Sequence, residues 1–155
     1  MDKDLKRDIY FMQQALLEAE KAYESGEVPV GAIIVLDDKI IANAYNKILK
    51  LKDPTAHAEI LAIKKATTYL KNERLINTTI YVTIEPCVMC TGALVLARVK
   101  DLVYGADDPK TGACGSIINI VQHPPLNHQL NVRKGILKEE AKELIQRFFK
   151  ERRKD

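Results

Sequence analysis

The feature that most restricts the fold of this chain is the alternation of short strand-like segments with longer helix-like segments. Apolar side chains recur at three- and four-residue spacings in the helix-like segments, whereas the strand-like segments are rich in β-branched residues. The predicted strands are 31–36, 39–45, 78–84, 101–105 and one near 129–136. The predicted helices are 4–25, one that starts near Asp53, 86–98, 116–122 and about 137–153. This order predicts a layered α/β sheet whose later strands are parallel.

The chain is expected to form one domain over residues 1–155, with the basic helix at 137–153 as part of it. The first two strands are separated only by Asp37 and Asp38, which predicts a hairpin. The charged amino terminus lacks the apolar core of a secretory signal. The longest apolar run, 28–36, is far below the ~20 residues that a membrane span needs. We therefore expect a soluble cytoplasmic protein with no membrane contact.

Two of the three cysteines, Cys87 and Cys90, form a C-x-x-C motif at the start of the predicted helix 86–98. Without an export signal, this motif indicates metal or redox chemistry rather than a disulfide framework. Spacing of i and i+3 in a first helical turn puts both sulfurs on one side, and the positive end of the helix favours thiolates. A zinc site and a thioredoxin-like redox site both agree with the motif.

A second helix start carries His57 and Glu59 within the stretch DPTAHAE, where Asp53 or Thr55 is the expected N-cap. Residues two apart on a helix do not face each other, so an ion pair between them is not expected. If this helix packs beside the cysteine helix, His57 becomes a third metal ligand. Thiolate and imidazole ligands suit Zn²⁺, and three protein ligands leave a position for a water that the metal acidifies. Glu59 is then placed to move the proton of that water.

A purely structural zinc site would need a fourth protein ligand, for which His123, His128 or Cys114 is the candidate. Glu59 would then be only a solvated carboxylate favoured by the positive end of its helix. Otherwise Cys114 is expected to be a small packed residue, and His123 a loop residue.

H-x-E followed by P-C-x-x-C is the signature of zinc-dependent base deaminases. Over nearly its whole length the sequence also resembles the bacterial tRNA-specific adenosine deaminases, which belong to the cytidine- and deoxycytidylate-deaminase-like zinc superfamily. The segments that carry the resemblance are EVPVGAIIV (27–35), Asn46, DPTAHAE (53–59), EPCVMC (85–90), GADDPKTGACGS (105–116), LNH (126–128) and RFF (147–149).

The resemblance implies hydrolytic deamination of adenosine to inosine at the wobble position of a tRNA anticodon loop, by a homodimer with one zinc ion per subunit. It implies a three-layer cytidine-deaminase-like fold with a central five-stranded mixed sheet, whose last strand is parallel to its neighbour. By position, Asn46 is expected to hydrogen-bond the flipped nucleoside, and Asp108 and Lys110 to contact the flanking nucleotides or their backbone. The alternatives are a turn residue at position 46 and loop surface charges at 108 and 110.

The end of the chain gives independent support for an RNA partner. Basic side chains contact phosphates and an exposed aromatic ring can stack on an unpaired base, so Phe149 is a candidate substrate contact. A solvated helix end whose cations suit the helix dipole, with at least one of Phe148 and Phe149 packed in the core, is the alternative. The basic residues of this tail are Arg147, Lys150, Arg152, Arg153 and Lys154.

The zinc motifs alone also fit deaminases of free bases and nucleotides, such as guanine or cytosine. The loop DPKTGACGS and the basic tail are what favour the tRNA group. Outside that reaction class, the alternatives are a non-catalytic zinc-containing RNA-binding module and a C-x-x-C redox protein. The binding module gives Glu59 no proton to move, whereas the redox protein needs no metal.

Overall fold

The computed structural model describes residues 2–152, and its centre is a five-stranded mixed sheet with the strand order β2-β1-β3-β4-β5. The strands are β1 (Gly31–Leu36), β2 (Lys39–Tyr45), β3 (Thr79–Ile84), β4 (Asp101–Ala106) and β5 (Asn131–Lys134). Strand β1 pairs antiparallel with β2 and with β3, whereas β3, β4 and β5 are parallel. The predicted mixed sheet with a parallel last strand is therefore confirmed.

Five helices are present in the described part of the chain, and four of them cover the two faces of the sheet. They are α1 (Lys3–Glu24), α2 (Ile48–Leu51), α3 (Ala58–Leu70), α4 (Val88–Leu96) and α5 (Lys138–Arg152). Successive strand residues point to opposite faces, so Ile33 packs under α1 and Ile34 packs on the face of α3 and α4. The result is the predicted three-layer arrangement. None of these helices is long and apolar enough to cross a membrane.

The hairpin prediction is confirmed at Asp37 and Asp38, whose φ angles of 50° and 60° are both positive. The two-residue turn that best matches the twist of a hairpin needs a positive φ at both central residues. Asp tolerates this conformation. Helix α1 likewise ends as predicted, because Gly26 adopts a φ of 77° directly after the C-cap Ser25.

Two predictions of local structure are wrong. The segment 116–122, predicted as a short helix, forms turns and a bridge between Cys114 and Asn119, so the parallel connection from β4 to β5 contains no helix. The helix predicted to start near Asp53 begins only at Ala58, because the Asp53 carboxylate caps a local turn by accepting from Thr55 N at 2.8 Å. Helix α2 was not predicted. Arg153 and Lys154 lie outside the described residues.

The segments that carry the candidate site residues lie together at one edge of the sheet, where strands end or begin. It contains the carboxyl ends of β3 and β4 and, because β1 is antiparallel to β3, also the start of β1, where Gly31 N donates to Thr83 Oγ1 at 3.2 Å. A Cβ at Gly31 would collide with the backbone of α1 at Ala15, so α1 lies directly on this strand. The carboxyl ends of α1 and α5 meet at the same edge, where Arg152 Nη2 donates to the Gly26 carbonyl at 2.5 Å.

Candidate active site

Three potential metal ligands converge at this edge from two helix starts. His57 is the N-cap of α3, Cys87 is the N-cap of α4, and Cys90 lies in the first turn of α4. His57 and Cys87 therefore precede their helices, instead of lying in the first turn as predicted. Both have extended backbone angles and neither side chain caps its helix, so the imidazole and the thiol are free to point at a common ligand.

The ligand atoms are close enough to bind one ion. Nδ1 of His57 lies 3.4 Å from Sγ of Cys90 and 3.8 Å from Sγ of Cys87, and all three atoms lie within 4.8 Å of one another. Within residues 2–152 these three residues form the one group of His, Cys, Asp and Glu with this spacing. One imidazole nitrogen and two sulfurs are a donor set that suits zinc, and three protein ligands are the number found in catalytic sites.

The three candidates for a fourth ligand do not join this group. The Cys114 thiol is buried and lies 3.5 Å from the Thr91 hydroxyl, while the His128 ring contacts the Val99 carbonyl at 2.6 Å. His123 is an exposed loop residue. The expectation that Cys114 is packed and His123 lies in a loop is therefore confirmed.

The electrostatics of the cluster favour a thiolate at Cys87. Hydrogen bonding from Cys90, together with His57, lowers the pKa of Cys87 to about 4. The bond to Cys87 in turn raises the pKa of His57, and the same sulfur, together with burial, raises the pKa of Cys90. A thiolate is the form of cysteine that binds metals, so the cluster already holds one ligand in its metal-binding state.

Glu59 lies in the first turn of α3, directly beside the cluster, and its side chain is only 4% exposed. Burial raises the pKa of this carboxyl to about 7. A buried carboxyl whose pKa lies near neutrality can both accept and release a proton at physiological pH. The solvated carboxylate considered as an alternative is therefore wrong.

A pocket of about 190 Å³ lies above these residues and connects them with the other predicted site residues. Its walls combine apolar side chains with His57, Glu59 and Cys87. The lining residues are Val28, Val30, Asn46, Ile48, His57, Glu59, Ile84, Glu85, Cys87, Asp108 and Thr111. A pocket that combines apolar walls with convergent polar groups is the usual form of a small-ligand site.

Asn46 is buried in the wall of this pocket and is more than a turn residue. Its Oδ1 accepts from Ala58 N at 2.8 Å, and its Nδ2 donates to the Val28 carbonyl at 3.1 Å. These two partners determine the orientation of the amide, because the oxygen must face the N–H and the nitrogen must face the carbonyl. The second N–H of Nδ2 and the second lone pair of Oδ1 remain for a ligand.

Asp108 and Lys110 lie in the loop at the rim of the pocket. The Asp108 carboxylate is used within the loop, accepting from Lys110 N at 3.0 Å, from Thr111 N at 3.2 Å and from Thr111 Oγ1 at 2.6 Å. The Lys110 side chain is exposed and borders a second, apolar pocket of about 320 Å³ that also includes Cys87. Both residues thus lie beside the site, one shaping the loop and one presenting a cation.

Two buried carboxylates were not predicted from the sequence: Glu85, which lines the pocket, and Glu27, which binds helix α2. Glu85 accepts from Asp108 N at 2.9 Å, Cys114 N at 2.9 Å and Ser116 N at 3.1 Å, and also from the Ser116 hydroxyl. Glu27 accepts from the N–H groups of the first turn of α2 at 3.0 and 2.9 Å. No local sequence pattern marks a carboxylate whose partners are backbone amides more than 20 residues away; the only signal is their position in the segments EPCVMC and EVPV.

In the carboxyl-terminal helix, one aromatic ring is packed and one is available. Phe148 is buried against Tyr23, with ring centroids 5.9 Å apart, whereas Phe149 is 43% exposed. The guanidinium of Arg152 lies over the Phe148 ring at 4.9 Å, and that of Arg147 lies over Tyr23 at 4.8 Å. Phe149 does not line the pocket, but the end of its helix is at the same sheet edge.

A mixed α/β sheet that presents a His/Cys/Cys cluster and a buried carboxylate at two helix starts is characteristic of the zinc-type deaminases. A family model described as MafB19-like deaminase accordingly matches residues 6–153. A tRNA-specific adenosine deaminase of Aquifex aeolicus (strain VF5) is 50% identical over 144 residues, covering 93% of this chain and 95% of its own. This chain belongs to the tRNA-specific adenosine deaminase family, as the sequence motifs predicted.

Solved structures agree with this assignment. A chain from biochemical and structural studies of A-to-I editing by tRNA:A34 deaminases, which act at the wobble position of transfer RNA, superposes with a TM-score of 0.85. It is 44% identical and covers 87% of this chain and 98% of its own. A guanine deaminase from Bacillus subtilis superposes with a TM-score of 0.61 at 38% identity, covering 69% of this chain and 66% of its own. A guanine deaminase is therefore a more distant structural neighbour of this chain.

Proposed function

We propose that the protein hydrolytically deaminates adenosine to inosine at the wobble position of a tRNA anticodon loop. The observation that carries this proposal is the placement of Glu59 and the His57, Cys87 and Cys90 cluster around one pocket. The named activity of its relatives, tRNA-specific adenosine deamination, supports the choice of substrate. Adenosine and water are consumed, and inosine and ammonia are formed.

His57, Cys87 and Cys90 would hold one zinc ion per subunit, consistent with their donor types and separations. When bound, zinc supplies a Lewis acid that makes water nucleophilic near neutral pH. Glu59 accepts one proton of the attacking water on its carboxylate and delivers it to the base. It then takes the remaining proton of the added hydroxyl and delivers it to the departing amine, which leaves as ammonia. Its burial, which keeps the carboxyl protonatable near pH 7, suits both halves of this role.

Asn46 binds and orients the nucleoside in this proposal, through the second N–H of its Nδ2. The apolar side chains of Val28, Val30, Ile48 and Ile84 form walls against which a flat base packs. A nucleotide in an anticodon loop is unpaired, so moving it into the pocket costs less free energy than extracting a base from a duplex.

Contacts to the rest of the RNA come from the rim and from the end of α5. Lys110 is an exposed cation at the rim, and Asp108 shapes the backbone that meets the nucleotides flanking the adenosine. Phe149 presents an exposed ring at the same sheet edge, and Lys150 is an exposed cation beside it. Basic groups and an aromatic ring together suit an unpaired RNA loop. A tRNA substrate also supports the predicted cytoplasmic location.

The protein is proposed to work as a homodimer, and an apolar patch beside the site supports this. Val88 is 53% exposed and Ile117 is 56% exposed, and with Met89 and Ile118 they line the apolar pocket that includes Cys87. Exposed apolar patches of this kind mark protein interfaces. Light scattering should give twice the subunit mass, and Val88→Lys together with Ile117→Lys should shift it toward the monomer.

The decisive experiment combines an activity assay with metal analysis of the same sample. Purified protein is incubated with an anticodon stem-loop, with free adenosine, and with guanine and cytosine. Inosine formed in the stem-loop, with about one zinc per chain, is the expected result. Turnover of guanine or cytosine with no inosine in the RNA would instead establish a free-base deaminase.

Removing the metal separates the remaining alternatives. Dialysis against a chelator should abolish inosine formation, and added Zn²⁺ should restore it. An RNA-binding module would bind the stem-loop with zinc present and form no inosine in any sample. A redox protein would show activity that follows reversible oxidation of Cys87 and Cys90 and does not depend on metal.

A further inference from the structure

Glu85 is a buried carboxylate without an assigned role, 3% exposed, immediately before Pro86 and the ligand Cys87. All of its side-chain partners belong to the rim loop, 108–116. One carboxylate oxygen accepts from Asp108 N at 2.9 Å and from the Ser116 hydroxyl. The other accepts from Cys114 N at 2.9 Å and from Ser116 N at 3.1 Å. A single side chain thus satisfies three backbone amides of a loop that contains no helix or extended strand.

The fit of the loop to this carboxylate is close. The backbone of Gly112 passes so near the Glu85 carboxyl group that a Cβ at this position would overlap it. Backbone bonds add a separate connection between the loop and the ligand turn, with Ala113 N donating to the Pro86 carbonyl at 2.9 Å and a bridge between Cys87 and Gly112. The loop therefore has two anchors, one through the Glu85 side chain and one through the backbone.

We propose that Glu85 is a positioning residue for substrate RNA. It fixes the position of the rim loop relative to the pocket, above all that of the turn formed by residues 108–111. Asp108 N is bound by Glu85, and the Asp108 carboxylate in turn caps Lys110 and Thr111. Releasing Asp108 from Glu85 therefore moves the whole turn that carries the exposed cation. The backbone anchor at Pro86 and Cys87 is unaffected, so the metal ligands keep their places. This inference rests on the proposed function, because it assigns the loop to RNA binding.

Glu85→Gln is the sharpest test, because it keeps the shape and changes one acceptor oxygen into a donor nitrogen. The amide oxygen can still serve Cys114 N and Ser116 N, while the amide nitrogen faces the Ser116 hydroxyl, which can accept. Asp108 N–H is the group left without an acceptor. We expect faster hydrogen exchange at the Asp108 amide, and a KM for the stem-loop raised about tenfold, with kcat within about twofold and zinc content unchanged.

Glu18→Gln is the matched control. Glu18 is also a buried carboxylate, but it lies on α1, binds Lys21 Nζ at 2.6 Å and does not line the pocket. This variant should leave the KM and the exchange of the Asp108 amide unchanged. Ser116→Ala is the milder test at the site. It removes the hydroxyl that donates to the same Glu85 oxygen as Asp108 N, so that oxygen is held less firmly, and the KM should rise about threefold with kcat retained.

The possible results separate this inference from the proposed function. Failure of the wild-type protein to deaminate the stem-loop would contradict the proposed function, whereas an Asp108 amide that stays protected in Glu85→Gln would overturn the positioning role. A released Asp108 amide with an unchanged KM would also overturn it.

Loss of zinc, or a fall in kcat with KM unchanged, would overturn the positioning role by showing that Glu85 acts on the turn that carries the metal ligands. If Glu85→Gln does not fold, an unchanged KM in Ser116→Ala overturns the inference.

Discussion

The side-chain oxygen of Asn46 accepts a hydrogen bond from the backbone N–H of Ala58 at 2.8 Å, across 12 positions of sequence. Ala58 is the first residue of α3, between His57 and Glu59. A residue in the wall of the pocket therefore also satisfies one of the free N–H groups at the start of the helix that carries two of the proposed site residues. Substrate binding and the placement of that helix are coupled through a single amide.

Replacing Asn46 should consequently affect stability as well as activity. Asn46→Ala should lower the free energy of unfolding by about 1 kcal/mol, the usual cost of losing a side-chain acceptor at a helix start. Stem-loop deamination should also fall. Urea denaturation and the stem-loop assay measure the two effects, with Asn43→Ala, at an exposed position of β2, as the control. Unchanged stability would show that this hydrogen bond does not hold the helix start.

Glu59→Gln should separate metal binding from proton transfer. We expect zinc content to remain at the wild-type level, while kcat for the stem-loop falls by about 10²- to 10⁴-fold, the usual contribution of general acid–base catalysis. Zinc analysis and single-turnover kinetics on the same preparation give both values. Glu73→Gln, at an exposed position, is the control. A Glu59 variant with near-normal turnover would refute the proton-transfer role.

The two neighbouring phenylalanines should respond differently. Phe148 is buried, so Phe148→Ala should cost about 3 kcal/mol of stability. Phe149 is 43% exposed, and Phe149→Ala should change stability by less than about 0.5 kcal/mol. If its ring stacks on the RNA, Phe149→Ala should weaken stem-loop binding about tenfold. Equal effects of both variants on RNA affinity would contradict the assignment to Phe149.

A buried charge cluster on the opposite side of the sheet from α3 and α4 should contribute to stability without affecting catalysis. Asp8 accepts from Arg133 Nε at 2.7 Å and from the Tyr81 hydroxyl at 2.8 Å, joining α1, β3 and β5. Burial and the hydrogen bond to Asp8 together raise the pKa of the Tyr81 hydroxyl. Removing one partner of a fully buried ion pair costs ~3–5 kcal/mol. Because Arg133 is 35% exposed, we expect Asp8→Asn to cost about 2 to 3 kcal/mol.

Asp4→Asn provides the comparison for this prediction. Asp4 pairs with Arg7 at 3.4 Å on the surface of the same helix, and an exposed pair of this kind is worth about 0.5 kcal/mol or less. Urea unfolding of both variants, together with zinc content and kcat of the folded fractions, tests the distinction. A similar loss of stability in the two variants, or a loss of zinc in Asp8→Asn, would contradict it.

The errors of prediction at the helix starts have a common physical cause. Asp53 does act as a cap, but its carboxylate caps a local turn by accepting from Thr55 N. Helix α3 begins only at Ala58, whose backbone N–H donates to the Asn46 side chain. The apolar segment 116–122 has a helical pattern but does not form a helix, because the preceding loop amides are bound by Glu85, 31 residues from Ser116. A local turn and the distant Asn46 outweigh the helical preference at the first place, and the distant Glu85 outweighs it at the second.

The amino-acid sequence alone determined the order of the five strands and the four long helices, the three ligand types and the neighbouring carboxylate, because periodicity and spacing are local properties of the chain. Only the tertiary structure decided that His57 and Cys90, 33 residues apart, lie within reach of one ion. That proximity results from the parallel pairing of β3 with β4 and from the packing of α3 and α4 on one face. The tertiary structure alone also decided what the carboxylates of Glu27 and Glu85 bind, since their partners are backbone amides that only the folded chain brings near.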